Sequence, residues 1–245
     1  MKKLLFLLFI SQAFTLASQV PDGEEIMKRI DQNMSSENRV FESKMIIHGP
    51  RNSREVRSKT WTQGEQRSFT EYLFPVREEG TKMLKLQDQL WIYSPTTDRT
   101  IQIIGHMLRQ AVMGSDMSYE DLMEDNSLLK HYSAEVTGSE LVGDNDCWVL
   151  ELTAIDPEMT YQGKKLWVDK KRFIPLKEEL FAKSGVLLKR TELSNIENID
   201  GRWYPKKIVF KDMLQEGGGT EFIIESIDFN VDIPEYIFSK SSLKR

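Results

Sequence analysis

The chain reads as a mainly β fold with a small helical component (α+β), an antiparallel meander in one domain. Three features predict it. Apolar and polar residues alternate with a period of two over much of the chain beyond Arg39, turn-forming clusters separate the runs, and helical character is confined to short pieces. No linker, repeat or low-complexity tract interrupts this pattern.

The first segment predicts export. Lys2 and Lys3 precede the apolar run Leu4 to Ile10, and Thr15-Leu16-Ala17 offers small residues for cleavage after Ala17, with Ser18 as the alternative. The run is shorter than the roughly twenty residues of a membrane span, and no later segment is long and apolar enough. Residues 18–245 are then expected to form one soluble domain in the bacterial periplasm, reached through a cleaved signal peptide over 1–17. No Cys lies near the cleavage site, so the product is not expected to be a lipoprotein itself.

Glu24 to Met34 follows the helical period, with Ile26, Met27, Ile30 and Met34 on one face. Strands are then expected around Phe41–Ile47 and over Arg54–Thr62, Gln66–Phe74, Lys82–Leu86, Gln89–Tyr93 and Arg99–Ile104. A second series covers Ala134–Leu141, Cys147–Ala154, Lys164–Asp169, Leu176–Phe181, Val186–Asn195, Trp203–Lys211 and Thr220–Asn230. Turn residues such as Gln63-Gly64-Glu65, Gly143-Asp144-Asn145 and Asp200-Gly201 punctuate them. Pro205 falls near a strand start, where a missing donor is tolerated. Ile233-Pro234 to Phe238 predicts a last turn tucked against the sheet. A sheet of about a dozen strands must curl, split or close.

The rhythm breaks between His106 and Met123, where Met107, Met113, Met117 and Met123 fall within one short stretch. Methionine is unbranched and polarizable, so a cluster of it suits either gap filling in a core or a greasy partner of loose shape. With Glu24–Met34, this segment is the available cover for an apolar concave face.

The formal net charge is −5, and loss of Lys2 and Lys3 makes it −7. That argues against nucleic acid as a partner and against docking on an anionic membrane by charge alone. Cys147, the single cysteine, cannot form an internal disulfide and reads as strand filler. His48, His106 and His131 are far apart and lack ligand spacing, so no metal or cofactor is expected. There is no G-x-S-x-G elbow and no glycine loop opening a helix. Adjacent acids such as Glu178-Glu179 point to opposite faces of a strand and do not make a catalytic pair. Nothing nominates a catalytic residue, and the chain is read as a non-enzyme.

Several phrases resemble the outer-membrane lipoprotein-sorting family, the LolA-like periplasmic carriers. They are Trp91-Ile92-Tyr93-Ser94-Pro95 with Arg99, the run Gly114-Ser115-Asp116-Met117-Ser118-Tyr119-Glu120-Asp121-Leu122, Lys165-Leu166-Trp167-Val168-Asp169, Gly201-Arg202-Trp203-Tyr204-Pro205-Lys206, and Ile233-Pro234 to Phe238-Ser239. The resemblance implies a strongly curved antiparallel sheet, an incomplete barrel of roughly ten to twelve strands with a small helical lid. It also implies an apolar cavity for the acyl chains of a lipoprotein or lipid carried toward the outer membrane. An inner-membrane transporter and an outer-membrane acceptor are the partners such a carrier implies. The alternative is an envelope sensor or accessory protein that regulates or assists a membrane transport partner. On this reading Met107, Leu108, Met113 and Met117 form the cover, and Trp91, Tyr93, Trp148, Leu150, Ile208 and Phe210 line the cavity. Each sheltered methylene is worth about 0.8 kcal/mol, so a sixteen-carbon chain represents on the order of 10 kcal/mol.

Overall fold

In the computed structural model, which describes residues 21–245, helix α1 (Gly23–Met34) precedes six strands. These are β1 (Asn38–His48), β2 (Ser53–Gln63), β3 (Arg67–Phe74), β4 (Lys82–Leu86), β5 (Gln89–Ser94) and β6 (Arg99–Ile103). A largely non-strand segment follows, carrying 3₁₀ turns at Gly105–Arg109 and Val112–Gly114 and the short helices α2 (Tyr119–Met123) and α3 (Leu128–His131). Seven strands complete the sheet: β7 (Tyr132–Val142), β8 (Asn145–Ala154), β9 (Gly163–Asp169), β10 (Pro175–Phe181), β11 (Leu187–Ile199), β12 (Arg202–Asp212) and β13 (Gly219–Phe229). Two 3₁₀ turns, Glu235–Phe238 and Lys240–Lys244, form the tail. The signal segment expected over residues 1–17 lies outside the described residues.

All thirteen strands belong to one antiparallel sheet, one strand more than the ten to twelve expected. The order is β6-β5-β4-β3-β2-β1-β13-β12-β11-β10-β9-β8-β7. The first and last strands pair at its centre, Arg39 opposite Phe229 and His48 opposite Gly219. Strands β6 and β7, consecutive in sequence, therefore lie at opposite edges. The sheet is strongly curved and does not close, as expected. The segment between β6 and β7 must cross from one edge to the other, and it does so over the inner face.

Helix α1 covers the inner face of β7–β9. Its residues Ile26, Met27 and Ile30 are buried against Trp148, Leu150, Leu152, Leu166 and Val168. These are the apolar positions at helical spacing in the sequence, and each fully buried side chain contributes about 1.5–3 kcal/mol. Polar contacts fix the angle of the helix. The Asn33 side-chain amide donates to the carbonyls of Arg172 and Phe173 and accepts from the Trp203 N–H. Asp31 accepts from the N–H groups of Leu128 and Leu129 and from Ser127 Oγ, which satisfies the open N-terminus of α3.

The outer face has its own cover. Phe238 and Leu243 of the tail, with Ile233 and Ile237, pack on Phe69, Leu84 and Trp91. Lys240 sits 3.9 Å above the Trp91 ring. Each face of β5 is thus buried by a different element, which accounts for a strand apolar on both sides.

Replacing Ile26, fully buried beneath the sheet, by Ala should lower the unfolding free energy by about 2–5 kcal/mol. Urea denaturation reads this; a change within about 0.5 kcal/mol would mean that α1 does not hold the core.

Candidate ligand cavity and lid

The lid runs from Gly105 to His131 and is built by local hydrogen bonding. The Val112 N–H donates to Met117 O and the Tyr119 N–H to Gln110 O, closing a small loop. Its corner needs two left-handed residues, Met113 (φ 49°) and Gly114 (φ 65°). A Cβ at position 114 would stand 2.8 Å from the tip of the Arg54 side chain, which is long enough to give way, so it is the left-handed φ that favours glycine here. Ser118 then starts α2 with a reciprocal cap: its Oγ accepts from the Asp121 N–H, and the Asp121 carboxylate accepts from the Ser118 N–H.

Two aspartates clamp the lid to the sheet. Asp116 accepts from Thr220 Oγ1 at 2.7 Å and from the Asp212 N–H at 3.0 Å, while its own N–H donates to Thr220 Oγ1. Thr220 is fully buried. Asp121 accepts from Tyr161 Oη at 2.5 Å and pairs with Lys189 of β11. Burial works to raise the Asp121 carboxyl, but Lys189, Tyr161 and the Ser118 N–H outweigh it and hold the group below its ordinary range. Burial, with Asp121 next in effect, pushes the Tyr161 hydroxyl up. A third pair, Lys164 with Glu124 at 3.3 Å, closes the β9 side.

Beneath the lid lies a hollow of about 210 Å³. Its two walls differ. One is apolar: Phe41, Met45, Val56, Met83 and Phe222 of the sheet, faced by Val112, Met117 and Leu122 of the lid. The other is a run of hydroxyls, Ser58, Thr60 and Thr62 of β2 with Ser68 and Thr70 of β3. Thr60 and Thr70 hydrogen-bond to each other at 3.0 Å. Arg39, Gly64, Glu65 and Asn126 also border the hollow, and Asn126 donates to Glu65. Lys85 of β4 borders the hollow as well.

The ten residues expected at the site are divided among six places. Met117 borders the hollow. Met113 and Phe210 pack beside it, against the cluster of Met45, Ile47, Val56 and Tyr72. Met107 and Leu108 cover Met83, Leu90 and Ile103 near the β6 edge. Trp148 and Leu150 lie under α1. Ile208 is half-buried in β12, between Leu193 and Phe222 in register. Trp91 and Tyr93 are on the other side of the sheet, under the tail, because Leu90 and Ile92 take the inner positions of β5.

Sequence reasoning missed the hydroxyl wall. The alternation Ser58, Thr60, Thr62 against Lys59, Trp61 was its signal, with the polar set facing inward and Trp61 outward against Phe69. Cys147 is a buried strand residue whose thiol burial pushes up to about 11, in keeping with a filler.

A strongly curved, unclosed antiparallel sheet with helical elements over its inner face defines a LolA-like protein, and the solved structures it resembles are of that kind. A domain from Vibrio parahaemolyticus assigned to outer membrane lipoprotein sorting is 24% identical, with a TM-score of 0.79 over 91% of this chain and 98% of that one. A DUF1329 family protein from Desulfovibrio piger is 25% identical, with a TM-score of 0.81 over 90% and 97%. A LolA superfamily protein from Nitrosomonas europaea is 25% identical, with a TM-score of 0.75 over 91% and 100%. No curated protein matches the chain. A family model described only as "Uncharacterized protein"-like matches residues 64–245. The chain belongs to that family, and its fold is that of the LolA superfamily and DUF1329 structures.

Asp121→Asn would leave Lys189 without its counter-charge and should cost about 3–5 kcal/mol at neutral pH. The folded carboxyl titrates below the unfolded one, at about 3.9. Its contribution is therefore complete above that value and is lost as pH falls through the folded value. The difference in unfolding free energy between wild type and Asp121→Asn should shrink on acidification below about pH 4. A difference constant from pH 7 to pH 3, or absent throughout, would show that Asp121 does not hold the lid.

Proposed function

We propose that this protein is a periplasmic carrier that shelters acyl chains of a lipoprotein or lipid between the inner face of its sheet and the lid. The observation that carries the reading is the hollow itself, with Met117 and Leu122 of the lid facing Phe41, Met45 and Phe222. A dry cavity of about 150 Å³ holds benzene, so the hollow as it stands takes a segment of an acyl chain. A whole chain requires the lid to move outward. The lid is suited to that, because ionic and hydrogen-bonded clamps fix it alongside its apolar contacts. Among the described residues no helix is long and apolar enough to cross a membrane. Transport runs toward the outer membrane, with an inner-membrane transporter as donor and an outer-membrane acceptor. The bound chain is transferred without chemical change.

The mature protein, purified without detergent, should release acyl-chain species on solvent extraction and mass spectrometry, and should take up a fluorescent fatty acid. Met117→Asp should weaken uptake at least about tenfold, since it places a carboxylate in the apolar wall, where about two methylenes' worth of burial is lost. Trp91→Phe, on the outer face, should leave uptake unchanged. Absence of both bound lipid and uptake would refute the carrier reading. Recovery of a stable membrane-protein partner in their place would favour an accessory role.

A further inference from the structure

Two cations that border the hollow, Arg39 and Lys85, have no carboxylate within ion-pairing distance among the described residues, and Lys85 is the one set in the β4 wall beside the hydroxyls. Lys85 is 6% exposed and borders the hollow on the β4 side. Its Nζ donates to the carbonyls of Leu122 and Met123, 3.2 Å each. Among the described residues no carboxylate lies within ion-pairing distance of it, and Glu65 and Asp125 act on it only through space. The other well-buried lysines are paired: Lys82 with Glu71, Lys164 with Glu124 and Lys189 with Asp121.

An ammonium has three donors, and two of these are taken by carbonyls. A buried cation without an opposite charge is unfavourable, and an arriving anion would remove that penalty. Burial lowers the basicity of Lys85, as expected for a desolvated ammonium. Hydroxyl donors stand beside it. Ser68 lies opposite Lys85 in the β3–β4 register, and Thr70 follows on the same face, both bordering the hollow.

We propose that Lys85 receives an anionic group of the acylated cargo, a carboxylate or a phosphate, so that the hollow selects anionic lipids over neutral ones. This rests on the carrier reading above. The Ser68 and Thr70 hydroxyls supply further donors to the same group, while the apolar wall takes the chain. The two carbonyl contacts hold the ammonium in place when no anion is present.

The test uses the mature chain and three probes with the same sixteen-carbon acyl group: palmitate, palmitoyl lysophosphatidylglycerol and neutral monopalmitoylglycerol. Affinities are read by displacement of a fluorescent fatty acid. Wild type should bind at least one anionic probe about tenfold or more tightly than the neutral one, the effect of one charge-assisted contact. Preference for palmitate alone assigns a carboxylate, and preference for the lysophospholipid alone assigns a phosphate. Lys85→Met should abolish the preference, read as the ratio of anionic to neutral affinity in the same variant, and Lys85→Gln serves if Met is not tolerated. A lysine that only tethers the lid would change stability without changing selectivity. Equal binding of all three probes by wild type, or a preference that survives in the variant, overturns the proposal alone. Failure of all three probes to bind overturns the carrier reading and this inference with it.

Discussion

The constraint on which the structure depends is topological. Strands β6 and β7 follow each other in sequence but occupy opposite edges of a thirteen-stranded sheet. The chain between them has to span the open side, and the shortest way is across the inner face. Pairing of β1 with β13 at the centre makes this unavoidable, because it sends the two halves of the meander outward in opposite directions. A lid is thus a consequence of strand order, and evolution of function could act on a segment already in place.

What holds the lid matters as much as its position. Apolar contacts through Met113 and Met117 are reinforced by Asp116 on Thr220 and by Asp121 on Lys189 and Tyr161. Buried polar contacts of this kind impose one seated geometry. They are also few, so breaking them together releases the segment while the sheet keeps its many backbone pairs. A carrier needs both properties: a closed state that excludes water and an open state at a modest free-energy gap. The helix α1 is anchored differently, by three fully desolvated side chains and Asn33, and serves as the fixed part of the cover.

Much of the fold was legible in the sequence, because side-chain periodicity is a local property. Every run read as a strand is one, Glu24–Met34 is helical, and the break at His106–Met123 marks the lid. The cavity was far less legible. Which face of a strand points inward depends on register across the whole sheet and on what covers each side. Strand β5 is apolar on both faces, and the tail claimed Trp91 and Tyr93 for the outside. Strand β2 misleads in the opposite sense, since its large aromatic faces out and its threonines face in. Hydroxyls and a lysine on an inner wall look like a solvated face until the lid is set above them.

Carrier action requires the lid to be a separable cover over the hollow and not a part of the core. Hydrogen exchange with mass spectrometry, with and without palmitate, measures this directly. Amides of residues 110–125 should exchange well before those of β1–β3 in the lipid-free protein, and added palmitate should change exchange in the lid and the facing strands alone. Exchange of the lid in step with the sheet, indifferent to the lipid, would contradict the account.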